Sequence, residues 1–363
     1  MSQFAEMPAG TRPMAAWPTS STAIAGVIGF PIRHSLSPLL QNAAFATMGL
    51  DWSYVAFEVP PTSLDRAIVG AAALGLRGLS VTMPHKDAVA RLATHRSRQV
   101  RRLGAANTLT FEAGKILADS CDGAGLLDDL REGAGFDPAG RRCGVIGAGG
   151  AGRAAVLALT EAGAEEIVIV NRTVTPAWRS AALAPKVARV GRPEDLGAMD
   201  LVIQATSVAM GSAGLVSEPA CATSLEFAEP ADSVGSASST RAAGPGGPAG
   251  PGGPAEARSA VVAGVDPSWF GAGQLVVDLV YDPPLTPFLL EARLRGASVR
   301  NGLGMLVYQA ARQIRLWTGT EPPLSVMWAV VGGDGSPAVP REGTPRPTGP
   351  PSTEPIGSMR ETE

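Results

Sequence analysis

The stretch Val145-Ile146-Gly147-Ala148-Gly149-Gly150-Ala151-Gly152 constrains the fold more than any other part of this chain. Gly147, Gly149 and Gly152 stand at G-x-G-x-x-G spacing. They follow a segment, 141–146, that reads as a strand entering a buried sheet, and they precede an alanine- and leucine-rich segment, 153–162, that reads as a helix. A second strand-like segment, 166–170, follows at βαβ distance. In a loop that holds a dinucleotide each glycine has its own job: Gly147 makes the tight turn, Gly149 lets the backbone approach a pyrophosphate, and Gly152 lets the helix sit close to the strand. The helix that follows aims free N–H groups at the phosphates. Glycine-rich turns alone mean little in a chain with 44 glycines; the surrounding strand–turn–helix–strand context carries the expectation of a dinucleotide site at Gly147, Ala148, Gly149, Gly150 and Ala151.

The end of the second strand selects the cofactor. A site for NAD places Asp or Glu there to hold the ribose 2′-hydroxyl. This chain has Asn171-Arg172-Thr173 and no acid. Arg172 can fork onto a 2′-phosphate, with Asn171 and Thr173 adding neutral hydrogen bonds, so NADP is expected over NAD. The same residues would also serve as a polar turn with a solvated arginine.

A length of 363 residues allows two domains with separate cores, and a hydrophobic content of 45% fits a globular α/β protein. A net charge of −3 argues against general binding to nucleic acid or an anionic membrane. The run Arg91, Arg96, Arg98, Arg101 and Arg102 reads as a solvated helix face, with the option that one side chain touches the cofactor. Cys121, Cys143 and Cys221 are scattered, and His34, His85 and His95 complete no ligand set, so a reducing compartment and no metal are expected. No run of 18 apolar residues occurs, and residues 1–21 lack the apolar core of a secretory signal; they read as a flexible arm.

In the first half, 23–30 reads as a strand that ends in Gly29-Phe30-Pro31. Ser37 before Pro38 marks a helix start, with Ser as N-cap and Pro at the first helical position. Ser35 and Ser37 together could instead grip a carboxylate at that helix N-terminus. Residues 52–59 read as a strand, 63–74 as a helix and 78–83 as a further strand. Thr82 and Lys86 then fall beyond that strand's C-terminal end, where ligands bind in open α/β sheets. Residues 105–118 form a hairpin with a turn over 112–115. Asp122 precedes a helix over 124–130; it is either an N-cap or a cleft residue at the junction of the two halves.

Taken with the motifs above, the remaining ones carry a family resemblance. They are His34-Ser35-Leu36-Ser37-Pro38, Ser80-Val81-Thr82-Met83-Pro84-His85-Lys86, Gly104-Ala105-Ala106-Asn107-Thr108 and Asp122-Gly123-Ala124-Gly125-Leu126. Ala205-Thr206-Ser207, Asp278-Leu279-Val280-Tyr281-Asp282-Pro283 and the segment from Gly302 to Ala310 complete the set. In this order, from about residue 23 to 317, the chain resembles the shikimate dehydrogenases (the shikimate/quinate dehydrogenase family). It departs where the family usually has Asn in place of Ser80, Thr in place of Cys121, and often His-Asn in place of Gln41-Asn42. Ser80 could thereby loosen support for the Thr82–Lys86 loop.

The resemblance implies an α/β protein with an N-terminal open α/β substrate domain and a Rossmann-type NADP-binding domain, and a C-terminal helix that returns to the first domain. The implied limits are 22–121 and 301–331 for the substrate part and 122–300 for the NADP domain. It implies reversible NADPH-dependent reduction of 3-dehydroshikimate to shikimate, a step toward chorismate and the aromatic amino acids, by a cytoplasmic monomer or homodimer. Residue by residue, Ser35 and Ser37 would hold the substrate carboxylate. Thr82, Asn107, Asp122, Tyr281 and Gln309 would bind the ring hydroxyls. Lys86 would transfer the proton beside Asp122, and Leu279, Gly302 and Met305 would lie near the nicotinamide. Two other readings are a quinate/shikimate dehydrogenase using NAD, which an acid after the second strand would favour, and a non-catalytic regulator on the same fold, which loss of Lys86 or Asp122 would favour.

The segment 211–273 holds Gly244-Pro245-Gly246-Gly247-Pro248 and the near-repeat Gly250-Pro251-Gly252-Gly253-Pro254. Such sequence buries too little apolar surface to make a core and reads as a largely disordered insertion, as does the tail 332–363. Strand and helix patterns resume at 274–280 and 286–296, and 303–317 reads as an amphipathic helix.

Overall fold

The computed structural model describes residues 18–207 and 261–332. The expectations for 1–17, 208–260 and 333–363 lie outside the described residues.

Two six-stranded sheets organise these residues. The first is built from β1 (Ala23–Gly29), β2 (Trp52–Glu58), β3 (Gly78–Val81), β4 (His95–Arg96), β5 (Thr108–Glu112) and β6 (Lys115–Asp119), in the order β2-β1-β3-β5-β6-β4. It is mixed: β1 runs parallel to β2 and β3, whereas β5 is antiparallel to both β3 and β6. Helices α1 (Ser37–Thr47), α2 (Leu64–Ala73), α3 (Lys86–Leu92) and α4 (Arg98–Leu103) connect these strands. Alternation along the strands separates two apolar faces. Leu79 and Val81 pack with Ile68 and Val89 on one side, while Ala25 and Val27 face Leu40 and Phe45 on the other.

The second sheet is built from β7 (Arg142–Ile146), β8 (Glu166–Val170), β9 (Ala188–Val190), β10 (Leu201–Gln204), β11 (Leu275–Asp278) and β12 (Ser298–Asn301). All its pairs are parallel, in the order β12-β11-β10-β7-β8-β9, the doubly wound order with a switch point between β7 and β10. Its inner strands β7, β8, β10 and β11 are largely apolar because both their faces are covered. Ile167 and Ile169 join one core, and Val168 and Val170 the opposite one. The helices of this half are α5 (Asp122–Asp128), α6 (Gly150–Glu161), α7 (Val174–Ala181) and α8 (Pro287–Leu294). Helix α9 (Leu303–Thr318) then crosses back to the first sheet, where Leu306, Val307, Ala310 and Ile314 close the core around Ala25, Leu40, Phe45 and Tyr54, and α10 (Leu324–Val330) packs beside it.

Three local departures from the sequence reading have identifiable causes. Helix α5 starts at Asp122 and runs into a π-helical turn, Asp129–Gly133. That wider turn sets the buried Asp129 against Arg300, whose Nε donates to Asp129 Oδ1 at 2.8 Å and whose Nη1 donates to the Gly133 carbonyl at 2.9 Å. Helix α1 begins at Ser37, with Leu36 at the N-cap position and no side-chain cap; Ser35 Oγ accepts the Ser37 N–H at 3.3 Å instead. The described residues before 274 also pack, where the sequence reading has an insertion. Val262, Val265 and Phe270 are buried in the second half's core, and a 3₁₀ turn, Pro267–Trp269, sits between them, because these apolar side chains complete the face formed by Val202, Val276 and Phe288.

Candidate active site

A cleft of about 730 Å³ lies between the C-terminal ends of the two sheets. Its walls are the loops that follow β1, β3, β7, β8, β10 and β11, together with the start of α9. Every residue that the resemblance assigns to substrate, cofactor or proton transfer lines it.

On the first half's side, β3 ends at Val81 and the chain turns through Thr82, Met83 and Pro84 into α3, whose first residue is Lys86. The Lys86 Nζ donates to Asp122 Oδ2 at 2.7 Å, and the Asp122 side chain is only 3% exposed. Asp122 is therefore no N-cap: it opens α5 with its carboxylate turned away from the helix and toward the lysine. Its other oxygen accepts from Asn107 Nδ2 at 2.7 Å, and the same amide nitrogen reaches Gln309 Oε1 at 3.0 Å. Four residues from α3, α5, α9 and the start of β5 thus converge on one polar spot. Ser35 and Ser37 stand nearby at the mouth of α1. Tyr281 spans the gap to them through hydrogen bonds to the Ser35 side chain and the Leu36 backbone, and burial pushes its phenol above the usual range.

Ser80, the position that departs from the family pattern, is buried and hydrogen-bonded. Its hydroxyl takes a hydrogen bond from Tyr54 Oη at 2.6 Å and gives one to Gln313 Oε1 at 2.7 Å. His85 is buried against the Val59 carbonyl, 2.7 Å from its Nε2, and serves the scaffold. His34 is at the exposed rim.

On the other side, Gly147 adopts φ +103° and faces Ala205 and Thr206 across the switch point. A Cβ on Gly152 would stand 2.0 Å from the Gly147 carbonyl oxygen, so α6 touches the turn directly. A Cβ on Gly149 would meet nothing within 4 Å: the loop opens there to the cleft, leaving backbone free to approach a ligand. Asn171 braces the loop, with Oδ1 accepting the Ala148 N–H at 3.1 Å and Nδ2 donating to the Thr173 carbonyl at 2.8 Å. Arg172 extends beyond it, exposed and without an ion-pair partner among the described residues. An open glycine cradle, an adjacent free guanidinium and no acid fit a dinucleotide with a 2′-phosphate. Leu279, Gly302 and Met305 border the middle of the cleft, and Gly302 is held so close to the Leu279 carbonyl, 2.1 Å from a notional Cβ, that only glycine fits. Asp278, fully buried, fixes this loop: its Oδ1 accepts the Val280 N–H at 3.0 Å and its Oδ2 the Thr286 hydroxyl at 2.7 Å.

The two sides touch. Gly150 lies against the Lys86 side chain, and Arg153 on α6 pairs with Asp87 on α3. Neither partner of that ion pair stands out in the sequence, because they are 66 positions apart. The arginine run near residue 100 stays out of the cleft; Arg102 pairs with Glu161 on the surface.

The chain is similar to known proteins in both sequence and fold. Residues 27–109 match the model of the shikimate dehydrogenase substrate binding domain, 133–213 that of shikimate / quinate 5-dehydrogenase, and 302–331 that of the shikimate 5′-dehydrogenase C-terminal domain. The shikimate dehydrogenase (NADP(+)) of Methanopyrus kandleri is 39% identical over 318 residues, covering 85% of this chain and 94% of its own length. That of Moorella thermoacetica is 39% identical over 308 residues, covering 85% and 92%. The crystal structure of the Thermus thermophilus shikimate 5-dehydrogenase in complex with NADP(H) and shikimate is similar with a TM-score of 0.66 at 29% identity, covering 86% of this chain and 99% of that one. The chain belongs to the shikimate dehydrogenase family.

Proposed function

We propose that the cleft carries out the reversible, NADPH-dependent reduction of 3-dehydroshikimate to shikimate. The observation that carries this reading is the Lys86–Asp122 pair, held at 2.7 Å against the glycine loop. In this reading, residues 22–121 and 301–331 form the substrate domain and 122–300 the NADP domain. Arg172 and Thr173 take the 2′-phosphate, the N–H groups around Gly149 and Gly150 take the pyrophosphate, and Leu279, Gly302 and Met305 border the nicotinamide. The chemistry NADPH supplies there is hydride transfer.

The chain's own residues do the rest. Ser35 and Ser37 hold the substrate carboxylate at the start of α1, where the helix dipole favours an anion. Thr82, Asn107, Asp122, Tyr281 and Gln309 bind the ring hydroxyls and fix which carbon faces the cofactor. Reduction leaves negative charge on the former carbonyl oxygen, and Lys86 Nζ donates the proton that neutralises it; in the reverse direction Lys86 accepts the hydroxyl proton, and Asp122 orients it throughout. In this reading the enzyme is a cytoplasmic monomer or homodimer acting on a small molecule, and the free, buried thiols of Cys121 and Cys143 are in keeping with a reducing compartment.

Steady-state kinetics test the assignment. With shikimate and NADP, Lys86→Ala should lower kcat by about 10²–10⁴-fold, the range for a lost general acid or base, while KM changes much less. Asp122→Asn should also impair turnover, and the double variant should cost less than the product of the singles, since the two act as a unit. Near-normal kcat in Lys86→Ala, with folding verified by NADPH titration, would refute the proton-transfer role. Parallel assays with quinate and with NAD establish substrate and cofactor preference.

A further inference from the structure

A chain of side-chain hydrogen bonds runs from the interior of the first half to the catalytic pair, joined at Gln313 by Gln41 Nε2 at 3.4 Å, and every donor along it points the same way. Tyr54 Oη donates to Ser80 Oγ at 2.6 Å, and Ser80 donates to Gln313 Oε1 at 2.7 Å. Gln313 Nε2 donates to Thr108 Oγ1 at 3.2 Å, and Thr108 donates to Asn107 Oδ1 at 2.8 Å. Asn107 Nδ2 then donates to Asp122 Oδ1 at 2.7 Å. All six residues are between 1% and 6% exposed, so each link is shielded by surrounding protein, where a hydrogen bond counts for more than in water.

The direction has a local logic. A hydroxyl has one proton to give. The Thr108 hydroxyl has two acceptors in reach, Asn107 Oδ1 at 2.8 Å and Cys121 Sγ at 3.5 Å. The N–H of Gln313 occupies the hydroxyl's oxygen and leaves its proton for Asn107. Asn107 Oδ1 also accepts the Cys121 N–H at 2.8 Å. With its carbonyl taken twice, the amide of Asn107 presents its N–H groups to Asp122 and Gln309 and cannot flip without losing both. Gln313 also anchors the backbone of Asn107 by donating to its carbonyl at 3.3 Å, and it sits one turn beyond Gln309 on the same face of α9.

We propose that Gln313 is a positioning residue that acts through Thr108 to set the orientation of the Asn107 amide toward Asp122 and the substrate hydroxyl. This rests on the reading above, in which Asn107 and Asp122 bind the ring hydroxyls. The test is kinetic, on the full chain, with Gln313→Met, Thr108→Val, their double variant and Asn107→Ala. Gln313→Met keeps the side chain's bulk and removes its hydrogen bonds. It should raise KM for shikimate about tenfold, the scale of a hydrogen bond to a charged group, and lower kcat. NADPH affinity by fluorescence titration should stay within about twofold of the parent, a selectivity that general loosening of the fold would not show. Thr108→Val should do the same, and the double variant should match the worse single, because both break one route. Additive effects in the double variant, or an unchanged shikimate KM in Gln313→Met, overturn the proposal. Should Gln313→Met not fold, an unchanged KM in Thr108→Val overturns it equally. Asn107→Ala separates the two levels: if it leaves shikimate KM unchanged, the assignment of Asn107 fails; if it raises KM while the other variants do not, only the Gln313 route fails.

Discussion

Replacing Gly152 by alanine tests how the second half holds its cofactor. The added Cβ would stand 2.0 Å from the carbonyl oxygen and 2.8 Å from the carbonyl carbon of Gly147, and contacts under 3.0 Å are essentially never seen. Both obstructing atoms are backbone, in a turn already fixed by φ +103° at Gly147, so a side-chain rotation cannot relieve the clash. Helix α6 has to retreat from the turn by about 1 Å, an overpacking strain of about 1–3 kcal/mol. The same retreat draws the N–H groups at Gly149 and Gly150 away from a bound pyrophosphate and lengthens hydrogen bonds of about 2.9 Å past their useful range. Hydrogen bonds to charged groups contribute about 1.5–3 kcal/mol each, so the loss of one weakens NADPH by roughly 10–100-fold. The assay is fluorescence titration of NADPH beside a thermal melt, with shikimate binding by calorimetry as the control, since Ser35, Ser37 and Asn107 lie on the opposite wall. A melting temperature lowered by a few degrees with intact shikimate binding and much weaker NADPH binding is expected. NADPH affinity within about threefold of the parent would show that the close approach of α6 to the turn does not matter for binding.

Three further outcomes follow from named contacts. Arg172→Asp removes a cation for the 2′-phosphate and adds an anion, so the KM for NADP should rise tenfold or more, as expected for a lost charge-assisted hydrogen bond of roughly 1.5–3 kcal/mol, while NAD is spared; an unchanged NADP KM would sink the assignment. Arg300→Met strips the partner from the buried carboxylate of Asp129 and should cost about 3–5 kcal/mol in urea unfolding at neutral pH. Burial already holds the Asp129 carboxyl above its ordinary value of 3.8, so the folded variant takes up a proton before the unfolded chain does; the deficit should shrink as pH falls through the raised value and level off below 3.8 at the smaller cost of the lost Gly133 hydrogen bond, and a deficit independent of pH would contradict this. Burial pushes the thiols of Cys121 and Cys143 up to about 12, so in a Cys221→Ser background a thiol reagent at mildly alkaline pH should label nothing until the protein unfolds; rapid native labelling would contradict the burial of both.

The parts of the site that were legible in the sequence are those where one short segment carries a fixed job. The glycines at 147, 149 and 152 announce themselves by spacing, and so do the Asn171-Arg172-Thr173 corner and the lysine placed just beyond a strand. Pairings over long separations leave no such trace. Asp122 looked as much like a helix cap as a partner for Lys86, 36 positions away; only packing of α5 against the substrate half turns its carboxylate toward the lysine. Gln313 reads as one more polar position on an amphipathic helix until α9 is laid across β3 and β5, 205 positions from Thr108. The π-helical turn at Asp129–Gly133 depends on Arg300, 171 positions on, so local propensity reads through it as plain helix. Val262, Val265 and Phe270 were lost in the shadow of the glycine- and proline-rich sequence before them, although an apolar pattern over a few residues was there to be read.

The return of α9 also dictates an order of events during synthesis. The face of the first sheet formed by Ala25 and Val27, with Leu40, Phe45 and Tyr54, gains its cover from Leu306, Val307, Ala310 and Ile314, which leave the ribosome more than 250 residues later. At roughly 5–20 residues per second, that greasy surface stays bare for about 12–50 s in every nascent chain. The second half, whose parallel sheet is complete by Asn301, can assemble in the meantime. A stalled or truncated product that stops short of residue 303 therefore presents an open apolar slab, which makes it a client for holding chaperones and a seed for aggregation rather than a half-active fragment.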